Sequence, residues 1–86
     1  MNRETTMIRN AVTGWINRNN PESFTVTLLL SELGDTLKAI LINTDLSKAM
    51  SNELKRRERL GWLECIGVEV IGLGRPPKVY RQKWRM

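Results

Sequence analysis

The chain has 86 residues, enough for one domain, and its 41% apolar and 27% charged content excludes wholesale disorder. One cysteine and no histidine exclude an intrachain disulfide and the usual zinc sites. The net charge of +5 is uneven: residues 1–46 carry four Arg/Lys against five Asp/Glu, and residues 47–86 carry ten against four, which is +6.

Residues 5–18 read as a first helix, because Ile8, Ala11, Val12, Trp15 and Ile16 fall on one helical face. Thr5 or Thr6 is its expected N-cap, and Gly14 weakens its later turns by about 1 kcal/mol against alanine. Asn17-Arg-Asn-Asn-Pro21 is a stop and a turn, and Phe24-Thr25-Val26 suits a short strand. Thr27 then reads as the cap of a second helix over 28–33, closed by Gly34. Leu37, Ile40 and Leu41 keep helical spacing up to Asn43-Thr44-Asp45, which fits either a third short helix or an extension of the second.

The clearest helix covers 46–60. At about 100° per residue, Leu46, Met50, Leu54 and the stem of Arg57 share one face, with Lys48, Asn52, Lys55 and Arg59 opposite. Asp45 or Ser47 can cap its start, and Gly61 is placed to end it. Residues 62–71 and 78–84 read as strands joined by a turn at 72–77, with Gly67 as a bulge. Cys65 is expected to be a small core residue of the first strand. No apolar run approaches the length that spans a bilayer, and the N-terminus lacks the pattern of a signal peptide. A soluble protein is expected, in the bacterial cytoplasm or, if phage-encoded, that of the host.

The basic helix face carries the functional expectation. A helix fits the major groove of DNA and reads base edges from its N-terminal half. Lys48, Ser51, Asn52 and Lys55 lie on that side, with Ser47 at the helix start. Asparagine pairs with adenine, lysine donates to guanine, and serine serves either. Arg56 and Arg59, further along, suit phosphates. In the turn, Gly72, Gly74, Pro76 and Pro77 make a stiff loop that can hold Arg75 in a minor groove. Lys78, Arg81, Lys83 and Arg85 either extend the phosphate contacts or face solvent. Trp62, Tyr80 and Trp84 can in principle form a stacking platform for single-stranded bases. A chain with few aromatics needs them for packing, so Trp62 and Tyr80 are expected to close the core and Trp84 to cover an edge. No catalytic grouping, metal site, cofactor motif or small-molecule site is visible.

Leu46 to Trp62, followed by Gly74-Arg-Pro-Pro-Lys-Val-Tyr-Arg81, resembles the recognition helix and wing of winged helix-turn-helix DNA-binding proteins, small bacterial and phage regulators among them. The Leu60-Gly61-Trp62 ending is also similar to winged-helix domains of phage-type helicase–primases. The resemblance covers about 40 residues; the spacing before Leu46 and the arginine at 57, where the family usually has a core leucine, depart from it. It implies an α+β fold of three or four helices with a small antiparallel sheet and a C-terminal β-hairpin wing. It also implies a single domain over 1–86 that binds double-stranded DNA without enzymatic activity, as a sequence-specific transcriptional regulator. The alternatives are a replication accessory or origin-binding protein, and a winged helix used for protein interaction. A homodimer is compatible with such a small reader. The apolar face of helix 5–18 or the segment Leu37–Ile42 is the expected source of its interface.

Overall fold

The computed structural model describes residues 3–68 and 78–83. These form α1 (Arg3–Asn19), α2 (Val26–Ile40), α3 (Leu46–Arg59), β1 (Leu63–Val68) and β2 (Lys78–Gln82), an α+β arrangement. The expected turn at 72–77, the Arg75 tip, Trp84 and Arg85 lie outside the described residues. Among those described, no helix is long and apolar enough to cross a membrane.

α1 buries Ile8, Val12, Trp15 and Ile16. It starts earlier than expected, so Thr5 and Thr6 lie inside the helix and neither is its cap. Glu4 in the first turn complements the helix dipole. Gly14 does not interrupt it, because the apolar face packs on both sides. The asparagine-rich segment does end it: the Asn20 N–H donates to the Ile16 carbonyl at 2.7 Å, and Asn20 takes φ +40°. Asparagine tolerates that left-handed conformation better than most side chains.

The expected strand at 24–26 is reduced to one residue. Phe24 exchanges both backbone hydrogen bonds with Tyr80, at 2.9 and 2.8 Å, and the chain then turns into α2. Thr25, not Thr27, is the N-cap: its Oγ1 accepts from the Leu28 N–H at 3.1 Å, and Val26 is already helical. Gly34 does not close this helix, which continues to Ile40. Buried Leu29 and Leu37, with partly buried Leu30 and Leu33, carry the apolar stripe across the glycine and outweigh its cost. The extension of the second helix is therefore the observed alternative for residues 35–40.

Asp45 caps α3, its Oδ1 accepting from the Lys48 N–H at 3.1 Å, so Ser47 is not the cap. The helix ends in a paired closure. Gly61 N–H donates to Glu58 O at 3.0 Å, and Trp62 N–H to Arg57 O at 2.9 Å, with Gly61 at φ +82°. This is a Schellman motif, for which glycine is the favoured residue.

β1 and β2 pair antiparallel, with Cys65 opposite Tyr80 and Gly67 opposite Val79. The register shift between Cys65 and Gly67, with Gly67 at φ +150°, is the expected bulge. Tyr80 anchors the sheet to the helices through Phe24, whose ring lies 5.7 Å from that of Trp15. Two expected core residues are not core. Cys65 is exposed, its Sγ donating to Gly67 O at 3.4 Å. Trp62 keeps 48% of its surface in solvent. Leu63 is the only buried residue of β1, because the strand leaves the helical body beyond it.

The α1 face offered for dimerisation is taken up by the core, as are Leu37 and Leu41. Ile40 and Ile42 at the α2–α3 turn remain exposed.

Candidate nucleic-acid interface

α3 has two unlike sides. Leu46, Met50, Leu54, Glu53 and Arg57 are buried, while Ser47, Lys48, Asn52, Lys55 and Arg59 are exposed and Ser51 is half-buried. The periodicity that sends leucine and methionine into the core necessarily sends the basic side chains outward. Lys48, Lys55 and Arg59 form no ion pair among the described residues. Their charge is available to an external anion.

The outer side adjoins two grooves. Asn52, Arg56 and Arg59 border one of about 290 Å³ against α1, with Thr5, Ile8 and Arg9 across it. Ser47 borders another of about 370 Å³ against α2, beside Asp35 and Lys38. Both grooves are mixed in character: Ile8 and Ala49 line the first beside its arginines, and Leu30 and Leu46 line the second beside Asp35 and Asp45.

Glu53 is central to the α1–α3 contact, and no reading of single motifs singled it out. Its Oε1 accepts from Arg9 Nε at 3.2 Å and Arg56 Nε at 3.1 Å. Its Oε2 accepts from Arg56 Nη2 at 3.0 Å and Arg57 Nε at 2.7 Å. Arg57 Nη2 also donates to Thr13 Oγ1 at 2.7 Å and to the Arg9 carbonyl at 3.2 Å. Three guanidiniums around one carboxylate leave the cluster positively charged, so burying Glu53 does not cancel the basic character of α3. Burial raises the Glu53 pKa, but hydrogen bonds from Arg56 and Arg57, with their charges, outweigh it and hold the carboxyl below its usual range. The Glu53 bond raises the Arg56 guanidinium in turn. The spacings 53/56 and 53/57 are ordinary helical pair spacings and were readable in the sequence. Arg9, 44 residues away, was not.

Arg56 is therefore held by two bonds to Glu53, rather than standing free like Lys55. Arg81 is paired with Glu64 directly across the strands. That pair is exposed and thus weak, so Arg81 can exchange Glu64 for another anion. Lys78 is exposed at the start of β2 and Lys83 just past its end.

Trp62 closes this region. The Schellman turn brings its ring back toward the helix, with the Arg56 guanidinium carbon 5.4 Å and that of Arg57 5.8 Å from the ring centroid. Both are within cation–π range. The Trp62 carbonyl accepts from the Lys83 N–H at 3.0 Å, so a lysine flanks it on the sheet side.

No protein-family model matches this chain, and no curated protein or solved structure matches it.

Proposed function

We propose that this chain binds double-stranded DNA without catalysing a reaction, in the manner of a winged helix-turn-helix domain, as a sequence-specific transcriptional regulator. α2 and α3 are the helix pair, α3 is the reading helix, and β1 and β2 are the strands of the wing. One observation carries the reading. The exposed side of α3 presents Lys48, Asn52, Lys55 and Arg59 together, with no ion pair to its cations among the described residues. The two carboxylates of the helix, Glu53 and Glu58, stand off that side: one is buried under arginines and the other is half-buried.

In this reading Asn52 and Lys55 meet base edges, with Ser51 and Lys48 beside them. Arg59 and Ser47 meet phosphates, and Lys78 and Arg81 contact the backbone from the sheet. Arg56 contributes field more than a direct bond, because Glu53 engages two of its nitrogens. Arg75 is the proposed minor-groove contact and lies outside the described residues.

The test is a mobility-shift titration on random-sequence duplex, comparing wild type with the triple variant Lys48→Ala, Lys55→Ala, Arg59→Ala. Wild type should bind and the variant should lose most of that binding, with melting temperature unchanged because all three side chains are exposed. Binding by both proteins alike would move the interface elsewhere, and no binding by wild type would remove DNA as the partner.

A further inference from the structure

We infer that Trp62 is a stacking platform for an unpaired nucleobase, at a single-stranded tail or junction of the DNA that α3 holds. The inference rests on the DNA-binding reading above but assigns a site that the reading does not use. Tryptophan is highly buried on average, and Trp15 is, at 5% exposure. Trp62 is instead 48% exposed in a chain with three tryptophans.

Its position is held from both sides. The Gly61 closure fixes its backbone to Arg57, and its carbonyl anchors the Lys83 N–H. The backbone that carries the ring is therefore fixed, and two guanidiniums lie 5.4 and 5.8 Å from the ring centroid. The two guanidiniums near it are themselves held: Arg57 by Glu53 and Thr13, Arg56 by Glu53. They bring positive charge to the ring without requiring it to move.

An exposed aromatic face among fixed cations matches a nucleotide, whose base stacks while its phosphate meets the positive field. A peptide partner with an apolar side chain is a poorer match, since that would place fixed charges against a surface offering none in return. The site lies where the C-terminal end of α3 meets β1, away from Lys48 at the start of the helix. A duplex seated on α3 would have to end or open to bring a base to it.

The experiment compares one duplex in three forms: blunt, with a 5′ oligo-dA tail, and with a 3′ oligo-dA tail. Affinity is measured for wild type, Trp62→Ala and Trp62→Phe, alongside their melting temperatures. Wild type should bind one tailed form about tenfold tighter than the blunt one. Trp62→Ala should lose that gain while binding blunt duplex as wild type does, because Glu53 still holds Arg56. Trp62→Phe, which keeps an aromatic face, should retain most of it. In a Trp84→Phe background, the tail should also quench fluorescence beyond the effect of blunt duplex, since the other remaining tryptophan, Trp15, is buried. Wild type that binds blunt duplex yet gains nothing from either tail overturns the role of Trp62 and leaves the duplex reading standing. Wild type that binds no duplex overturns the duplex reading itself. Equal losses by Trp62→Ala on blunt and tailed forms would make Trp62 a duplex contact or a structural residue, and would also overturn the inference.

Discussion

Glu53 joins two requirements that usually conflict, a stable α1–α3 contact and a helix dense in positive charge. Removing it takes the carboxylate away from three guanidiniums, two of which are partly open to water and one of which is not. Glu53→Gln should cost about 3 kcal/mol, the lower end for a broken buried pair, because Arg9 and Arg56 can turn toward solvent. Urea denaturation checks this. The same group sets an acid limit. The folded pKa of Glu53 lies below its unfolded value of about 4.3, so its contribution is fully present above that value and is lost as pH falls through the folded pKa. Urea midpoints from pH 7 down to about pH 3 should fall for wild type and fall less for Glu53→Gln. Outside the cluster, if Asn52 and Lys55 read bases as proposed, Asn52→Ala and Lys55→Ala should each cost about 1–3 kcal/mol on a selected site and much less on random DNA. Equal losses on both DNAs would make them phosphate contacts.

Glycines at 34 and 61 look alike in the sequence and do opposite things in the fold. Gly61 sits at φ +82° with nothing within 4 Å of an added Cβ, so alanine there is strained through the backbone alone. Gly61→Ala should cost about 1–2 kcal/mol in thermal melts. Gly34 is inside α2, also with nothing within 4 Å of an added Cβ. Gly34→Ala should therefore stabilise the protein, by about 0.5–1 kcal/mol. Destabilisation would mean that the chain turns at Gly34, as its sequence suggested, and that α2 is shorter. α3 was legible because its apolar spacing runs unbroken from Leu46 to Leu54 between a real cap and a real stop. α2 was not, because a glycine that breaks the pattern locally is tolerated when leucines on both sides reach the same core. Leu54, fully buried, should cost about 2–5 kcal/mol as alanine.

Charge in the molecule follows chain order: among the described residues the front half supplies most of the core, and the rear half of the sequence holds most of the cations. That division, and with it the face of α3, could be read from composition and periodicity alone. The Arg9–Glu53 contact and the exposure of Trp62 could not. The first joins residues far apart in the chain, and the second depends on the path the chain takes from α3 into β1. Cys65 misled for a related reason, since a strand that leaves the body after Leu63 has no core to offer its later residues. If the basic half grips the DNA backbone, about five or six phosphates are neutralised and the same number of counterions is displaced. Fluorescence anisotropy of a labelled duplex, titrated at several salt concentrations, measures this directly. A plot of log K against log salt should be linear with a slope near −5. A flat plot, or no duplex binding at low salt, would contradict the proposal that this chain is a DNA-binding protein.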